Sequence, residues 1–252
     1  MRIIVSPDPV ATGASAAHAV ASAADHRPDL VLGVATGSSP QPLYRSLAIL
    51  VRAGLDLSSA TAFALDEYAG LAPEHPQSYH SVIARDVTAP LRLDPDSVHV
   101  PDGAAADADA AAEAYERAIT RAGGVDLQIL GIGTNGHIGF NEPGSPADSR
   151  TRIVDLTART IADNSRFFPD PAEPVPTRAL TQGVGTILAA RRIVLVATGE
   201  HKAEAVARAV AGPVTAAVPA SFLQRHPDVT FFLDETAASR LSPTVRVQPV
   251  NA

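Results

Sequence analysis

Cysteine is absent from the 252 residues, which excludes disulfides, thiolate nucleophiles and thiolate metal sites. Apolar runs of the length needed to cross a bilayer are also missing. The first ten residues, MRIIVSPDPV, carry one arginine and two prolines around a short apolar run, which is too little for the core of a signal peptide. We therefore expect a cytoplasmic protein whose first strand begins almost at once.

Basic residues are few: 20 lysines and arginines stand against 27 acidic residues, giving a formal charge of −7 and a pI near 5.6. This balance argues against a surface for nucleic acid or anionic membranes, so any bound anion should be small and held locally. A small-molecule partner fits better. The hydrophobic content of 46% is ample for a sizeable core.

Short β-branched runs alternate with alanine-rich helical stretches along the chain, which is the pattern of an α/β protein. The predicted strands lie in RIIVSPD, DLVLGV, TAFALDEY, VDLQIL, RRIVLVA and DVTFFLD. We predict one Rossmann-like domain over residues 1–252, with an open, mostly parallel sheet flanked by helices. The segment 151–182 differs, because it is rich in proline and has no clear period, although SRTRIVD at its start fits a short strand. A long irregular segment of this kind is often a lid.

A glycine-rich stretch, LGIGTNGHIGFNEPGSP at residues 130–146, follows a predicted buried strand. Its G-x-G-x-x-G pattern fits a dinucleotide-binding turn, and Asp155 is at a suitable distance to bind a ribose. That interpretation needs a helix after the glycines, however, and the residues that follow favour an irregular loop. The alternative is chemical: His137 carries an imidazole, the side-chain type suited to proton transfer at neutral pH, and Glu142 can orient it as an acid–base pair. A hydrogen-bonded core histidine beside a solvated glutamate remains possible for these two residues alone.

A second strand-to-helix turn carries Thr36, Gly37, Ser38 and Ser39, and a helix is predicted to begin around Pro40. Free backbone N–H groups, hydroxyls and the positive end of the helix dipole suit this turn to an anion. The turn lacks the G-K-[ST] ending of a nucleotide P-loop, which favours a monophosphate over a triphosphate. Serine and threonine also cap many helices that bind nothing.

Two cations are candidates for the same anion. Lys202 lies in VATGEHKAEAV at the start of a predicted helix, where the helix dipole disfavours a positive charge. A bound anion would remove that conflict. Arg166, in the segment 151–182, could complete the anion site when a lid closes. Arg166 could equally be an ordinary surface arginine.

Two carboxylates end an apolar strand in FALDEYAGL. Because side chains alternate along a strand, Asp66 and Glu67 should point to opposite sides. We predict that Asp66 faces the cleft and that Glu67 is structural. Burial at the edge of an apolar pocket would raise the pKa of Asp66 towards that of a useful general base.

A metal site has little support. His75 and His80 are close together in EHPQSYH, but they lie among loop signals. We predict no metal site.

Taken together, these segments resemble the glucosamine-6-phosphate deaminase family, also called glucosamine-6-phosphate isomerase. The resemblance covers most of the chain in the family's order: GVATGSSPQPLY, LDEYAGL, HPQSYH, GIGTNGHIGFNEP, SRTRIV, NSRFF, PTRALTQGVGTI and TGEHKAEAV. The related 6-phosphogluconolactonases share the G-x-G-x-[DN]-G-H core but typically lack the FNEP continuation.

The resemblance implies a role for each candidate. Asp66 would transfer the proton, and His137 would assist ring opening with support from Glu142 and Asn135. Some members carry aspartate at position 135; asparagine can still orient a neighbour but cannot share a proton. The anion site of Thr36, Gly37, Ser38 and Ser39, with Arg166 and Lys202, would hold the substrate phosphate. Isomerisation and deamination of glucosamine 6-phosphate, which yield fructose 6-phosphate and ammonium, need no metal or redox cofactor.

Some members of the family are hexamers activated by N-acetylglucosamine 6-phosphate, and others are monomers. The sequence keeps Ser145 and Arg152 at matching positions, but Val154 stands where the activated enzymes have a lysine. We expect weak or absent activation, and a homo-oligomer remains possible. The alternatives for function are a 6-phosphogluconolactonase, a deaminase of an epimeric amino sugar phosphate, and a non-catalytic sugar-phosphate sensor.

Overall fold

The computed structural model describes residues 1–168, 170, 173–243 and 245. The strands of this part are β1 (Arg2–Ser6), β2 (Val31–Val34), β3 (Thr61–Ala64), β4 (Asp66–Tyr68), β5 (Val98–His99), β6 (Leu127–Leu130), β7 (Arg152–Asp155), β8 (Arg178–Thr181), β9 (Arg192–Ala197) and β10 (Val229–Asp234). Its α-helices are α1 (Pro9–His26), α2 (Gln41–Arg52), α3 (Tyr79–Ile83), α4 (Ala89–Leu91), α5 (Ala108–Arg121), α6 (Ala158–Asn164), α7 (Val184–Leu188) and α8 (Ala203–Ala211).

Seven of these strands form a parallel sheet in the order β1-β10-β9-β6-β2-β3-β5. A smaller antiparallel sheet has the order β4-β8-β7. The predicted open, mostly parallel sheet with flanking helices is therefore confirmed. The antiparallel sheet was not predicted from the sequence.

Successive side chains of each strand point to opposite faces of the large sheet, and a layer of packed side chains covers each face. Leu32 of β2 packs in the layer that includes α1 and α2, whereas Val31 packs in the layer that includes α5 and α8. Burying one leucine or valine side chain contributes about 2 kcal/mol. The continuous apolar strands read from the sequence thus reflect a sheet covered on both sides.

The four segments singled out in the sequence follow β2, β3, β6 and β9, which are neighbours in the sheet. Because these strands are parallel, their carboxyl ends meet at one edge. From β2 the chain continues to β3 on one side, and from β6 it continues to β9 on the other. The order in which the chain adds strands therefore reverses between β2 and β6, and open α/β sheets form a ligand-binding crevice at such a point.

The segment 151–182 is more regular than the sequence suggested. The short strand predicted at its start is confirmed as β7, but the segment also holds α6, a 3₁₀ turn at Ser165–Phe167, and β8. The predicted absence of regular structure was wrong here, because strands of four residues are too short to show a period. Residues 169, 171 and 172 of this segment lie outside the described residues.

No helix within the described ranges has both the length and the hydrophobicity needed to cross a membrane.

Candidate active site

A cavity of about 440 Å³ opens at the carboxyl edge of the parallel sheet, a size typical of small-molecule sites. The residues predicted from the sequence that line it are Thr36, Gly37, Ser38, Ser39, Asp66, His137, Arg166 and Lys202. The remaining two, Asn135 and Glu142, do not line the cavity and lie next to His137 instead. All ten candidates therefore converge on one place in the fold.

Asp66 lies where the chain leaves β3 and joins the antiparallel sheet through β4. The residue is only 5% exposed. Burial, and secondarily the charge of Glu67, raises the pKa of Asp66 to about 8. A carboxyl with this pKa can exchange a proton near neutral pH, as a general base must.

Glu67 points away from the cavity and has a structural role, as predicted. Its carboxylate accepts hydrogen bonds from the backbone N–H groups of Tyr68 at 2.7 Å, Tyr79 at 2.8 Å and His80 at 2.9 Å. Burial nevertheless raises the pKa of Glu67, although these three hydrogen bonds act in the opposite direction. Glu67 thus fastens the start of α3 beside β4, which fixes the strand that carries Asp66.

The glycines of the loop after β6 make room for the His137 imidazole. A Cβ atom at Gly133 would lie 2.3 Å from His137 Cε1, a distance that no side chain tolerates. Gly136 has a φ of 89°, in the left-handed region that favours glycine. No helix follows these glycines, so the dinucleotide interpretation fails: it requires a helix N-terminus at this loop.

The same loop passes Asp66 closely. A Cβ atom placed on Gly139 would lie 3.4 Å from Asp66 Oδ2. Because Gly139 is two residues from His137, the backbone brings the imidazole and the carboxyl to the same part of the cavity wall.

Glu142 lies behind His137, with its Oε2 atom 3.6 Å from His137 Nδ1. This is an ion-pair distance and is longer than a hydrogen bond. Asn135 Nδ2 donates to Glu142 Oε2 at 2.7 Å, and Asn135 Oδ1 accepts from the His137 backbone N–H at 3.1 Å. Burial alone would raise the pKa of Glu142, but His137, the Thr160 hydroxyl and Asn135 together lower it to about 2. Glu142 is therefore an anion that can orient and stabilise a protonated imidazole.

A further part of the cavity wall is suited to an anion. Thr36, Gly37, Ser38 and Ser39 connect β2 to α2, and Gly37 has a φ of 91°. The Tyr44 hydroxyl anchors the end of β2, since it accepts from Ala35 N–H at 3.0 Å and donates to Ala35 O at 2.9 Å. The N-terminus of α2 adds the positive end of its dipole next to these residues.

Lys202 and Arg166 bring two cations to the lining of the same cavity. Lys202 ends a 3₁₀ turn, Glu200–Lys202, that leads into α8, and burial lowers its pKa while Asp163 partly counteracts this effect. Arg166 stacks over the Phe167 ring at 4.7 Å. His201 also lines the cavity, and its pKa is lowered by burial and by the charges of Lys202 and Arg166. Cations that destabilise one another in this way are stabilised by a bound anion.

Several cavity residues were missed by the sequence analysis, namely Tyr68, Tyr79, Phe140, Thr160 and His201. The rings of Tyr79 and Phe140 stack with their centroids 5.9 Å apart, and Tyr68 packs 4.8 Å from Tyr79. These aromatic residues line the same cavity as Asp66 and add apolar surface to its wall. In the sequence they look like ordinary core residues, whereas His201 could have been noticed beside Lys202.

Among the described residues, no cluster of three or more histidine, cysteine or acidic side chains could hold a metal ion. His75 Nε2 lies 3.4 Å from Glu173 Oε2 instead. The arrangement can perform acid–base chemistry and bind an anion within one cavity.

Comparison with known proteins agrees with this geometry. Residues 10–232 match the family described as glucosamine-6-phosphate isomerases/6-phosphogluconolactonase. A Streptomyces coelicolor protein named glucosamine-6-phosphate deaminase is 55% identical over 242 residues, which are 96% of this chain and 93% of that protein.

Solved structures give the same result. A monomeric glucosamine-6-phosphate deaminase superposes with a TM-score of 0.92 and 40% identity, over 95% of this chain and all of that one. A 6-phosphogluconolactonase from Trypanosoma brucei has a TM-score of 0.74 and 23% identity, over 96% of this chain and 98% of that one, a likeness of fold alone. The chain belongs to the family of glucosamine-6-phosphate isomerases and 6-phosphogluconolactonases.

Proposed function

We propose that this protein converts glucosamine 6-phosphate and water into fructose 6-phosphate and ammonium. The observation that carries the proposal is the position of Asp66. A buried carboxyl with a pKa of about 8 lines the same cavity as His137, and the cations Arg166 and Lys202 line that cavity as well. The name of the 55% identical relative also supports deamination rather than lactone hydrolysis.

The phosphate would bind at the turn of residues 36–39, with Lys202 and Arg166 as its charged partners. Binding of a group remote from the reacting carbons orients the sugar and can lower the barrier by several kcal/mol. The reacting carbons C1 and C2 would then lie towards Asp66 and His137.

Ring opening would use His137. The anomeric hydroxyl loses a proton, the C1–O5 bond breaks, and O5 gains a proton, which leaves an aldehyde at C1. An imidazole can carry the proton between these oxygens because it titrates near neutrality. Glu142, as an anion 3.6 Å away, would stabilise the imidazole while it holds the proton.

Isomerisation would use Asp66. The C1 carbonyl acidifies the C2 hydrogen, and the ionised Asp66 carboxylate removes it. O1 takes up the proton that the substrate's ammonium group releases, which gives a neutral enolamine. The protonated Asp66 then returns a proton to C1, leaving an iminium group at C2. Water adds to this carbon, ammonia departs as ammonium, and the ketone of fructose 6-phosphate remains. Each proton that Asp66 accepts is thus given back within one turnover.

A paired assay tests the proposal. Ammonium and fructose 6-phosphate are measured with glucosamine 6-phosphate as substrate, and acid release is measured with 6-phosphogluconolactone. We expect ammonium and fructose 6-phosphate in equal amounts and no lactone hydrolysis above the spontaneous rate. Hydrolysis of the lactone without ammonium release would refute the proposal. Galactosamine and mannosamine 6-phosphates, tested in parallel, would identify the preferred epimer.

We further propose that catalysis does not require a neighbouring subunit, whether the protein is a monomer or a homo-oligomer. All ten site residues come from one chain, and the solved deaminase with 40% identity is described as monomeric. Arg152 contacts Asn141 Oδ1 at 2.9 Å and Ser145 Oγ at 3.2 Å, but the nearby Val154 offers no charge for an effector phosphate. A large rate increase on adding N-acetylglucosamine 6-phosphate would contradict the expected lack of activation.

A further inference from the structure

The carboxylate behind His137 is held from two directions. Glu142 Oε2 accepts from Asn135 in its own loop, at 2.7 Å. Glu142 Oε1 instead accepts from the segment 151–182: the Thr157 hydroxyl lies 3.1 Å away, and the Thr160 hydroxyl makes a short hydrogen bond. One of the two carboxylate oxygens is therefore held by residues 15 and 18 positions further along the chain.

Thr160 is well placed to fix the carboxylate. The residue is only 3% exposed, and Glu142 is 8% exposed, so water does not replace the hydroxyl easily. Thr157 is the N-cap of α6, where its Oγ1 accepts from the Thr160 backbone N–H at 3.2 Å. The first turn of α6 thus presents both hydroxyls to Glu142 in a defined geometry.

The other end of the same segment reaches the anion site. α6 runs from Ala158 to Asn164 and continues directly into the 3₁₀ turn Ser165–Phe167, which carries Arg166. Asn164 Nδ2 also donates to the Tyr68 hydroxyl at 2.9 Å, which joins this segment to the strand of Asp66. One short helical unit, α6 together with the 3₁₀ turn Ser165–Phe167, therefore makes three contacts. It contributes Arg166 to the cavity, bonds to β4 through Tyr68, and bonds to the Glu142 carboxylate.

We propose that Thr160 is a positioning residue that links phosphate binding at Arg166 to the His137–Glu142 pair. The inference rests on the proposed function. A phosphate that binds Arg166 orders the helical unit. Thr160 lies at the start of that unit and then holds Glu142 at the distance from His137 that ring opening requires. Thr160 lines the cavity, but its hydroxyl is engaged by Glu142, so we expect it to act through that carboxylate and not on the sugar.

Thr160→Val removes the hydroxyl with little change in volume, and Thr160→Ser retains it. We expect Thr160→Val to lower kcat about tenfold, because a hydrogen bond to a charged group is lost, while KM stays near the wild-type value. Thr160→Ser should restore most of kcat. Binding of glucitol 6-phosphate, an open-chain analogue without a carbonyl, should be unchanged. An unchanged kcat in the valine variant, or a serine variant as slow as valine, would overturn the role.

The link itself is tested by combining variants. Arg166→Ala should raise KM and lower kcat in the wild-type background, but in the Thr160→Val background it should raise only KM. Lys202→Ala is the matched control: Lys202 lines the same cavity but lies outside the helical unit, so its effects should be equal in both backgrounds. Full additivity of Arg166→Ala and Thr160→Val in kcat would refute the link.

Two controls separate the possible failures. A wild-type protein that releases no ammonium would refute the proposed function. An active wild type whose kcat equals that of Thr160→Val would refute only the role of Thr160. If Thr160→Val does not fold, as judged by circular dichroism, Thr160→Ala removes the same hydroxyl with a smaller side chain and carries the same expectation.

Discussion

Replacing Asp66 by asparagine should stabilise the folded protein at neutral pH while it removes the proposed base. Asp66 is buried, and its pKa rises from 3.8 to about 8 on folding. Between these values the folded protein keeps a proton that the unfolded chain has lost. The free energy of unfolding therefore falls as pH rises through this interval. The stabilisation that comes from the retained proton is fully present only below pH 3.8 and is lost by about pH 8.

The size of the effect follows from the same pKa values. Each pH unit within the interval costs about 1.4 kcal/mol of stability. Asparagine is neutral at every pH, so the variant escapes this cost. The difference in unfolding free energy between variant and wild type should widen by about 3 kcal/mol between pH 5 and pH 7, and should level off above pH 8.

Urea unfolding followed by circular dichroism at pH 5, 6, 7 and 8 measures this difference. Asp29→Asn is a matched control, because the Asp29 side chain is 76% exposed and its replacement should give no comparable pH dependence. A difference between Asp66→Asn and wild type that stays constant with pH would show that burial does not raise the pKa of Asp66.

Three further substitutions test other parts of the site. Lys202→Ala should raise KM about tenfold with little change in kcat, because the residue binds the remote phosphate; steady-state kinetics decides, and an unchanged KM would place the phosphate elsewhere. His137→Gln should slow turnover of the cyclic sugar about 100-fold through loss of proton transfer, and undiminished turnover would remove its ring-opening role. Gly133→Ala should lower kcat at least about tenfold without weakening glucitol 6-phosphate binding, because the added Cβ atom would lie 2.3 Å from the His137 ring. A fully active Gly133→Ala variant would show that the position of this ring is not critical.

Much of the site could be predicted because its residues lie at the ends of strands. Asp66 ends an apolar run, and His137 follows glycines after another, so each signal is local in the sequence. Lys202 was recognisable because a cation at a helix start conflicts with the dipole. Parallel pairing then brings these strand ends together, since β9, β6, β2 and β3 are neighbours.

The contributions of the segment 151–182 could not be predicted in the same way. β8 has four residues and pairs with β4, more than 100 positions away, so its stability depends on tertiary contacts. Thr160 resembles any threonine near a helix start, and only the fold brings it to Glu142, 18 residues earlier. The aromatic part of the cavity wall likewise consists of Tyr68, Tyr79 and Phe140, which meet only in the folded protein.

The most direct test of the account is the ammonium released from glucosamine 6-phosphate by wild type and by Asp66→Asn at equal occupancy. Binding of glucitol 6-phosphate sets the concentrations at which both proteins are saturated. We expect rapid ammonium release by the wild type and a loss of at least about 1,000-fold in the variant, since asparagine cannot accept the C2 proton. A saturated Asp66→Asn protein that turns over at a rate near that of the wild type would contradict it.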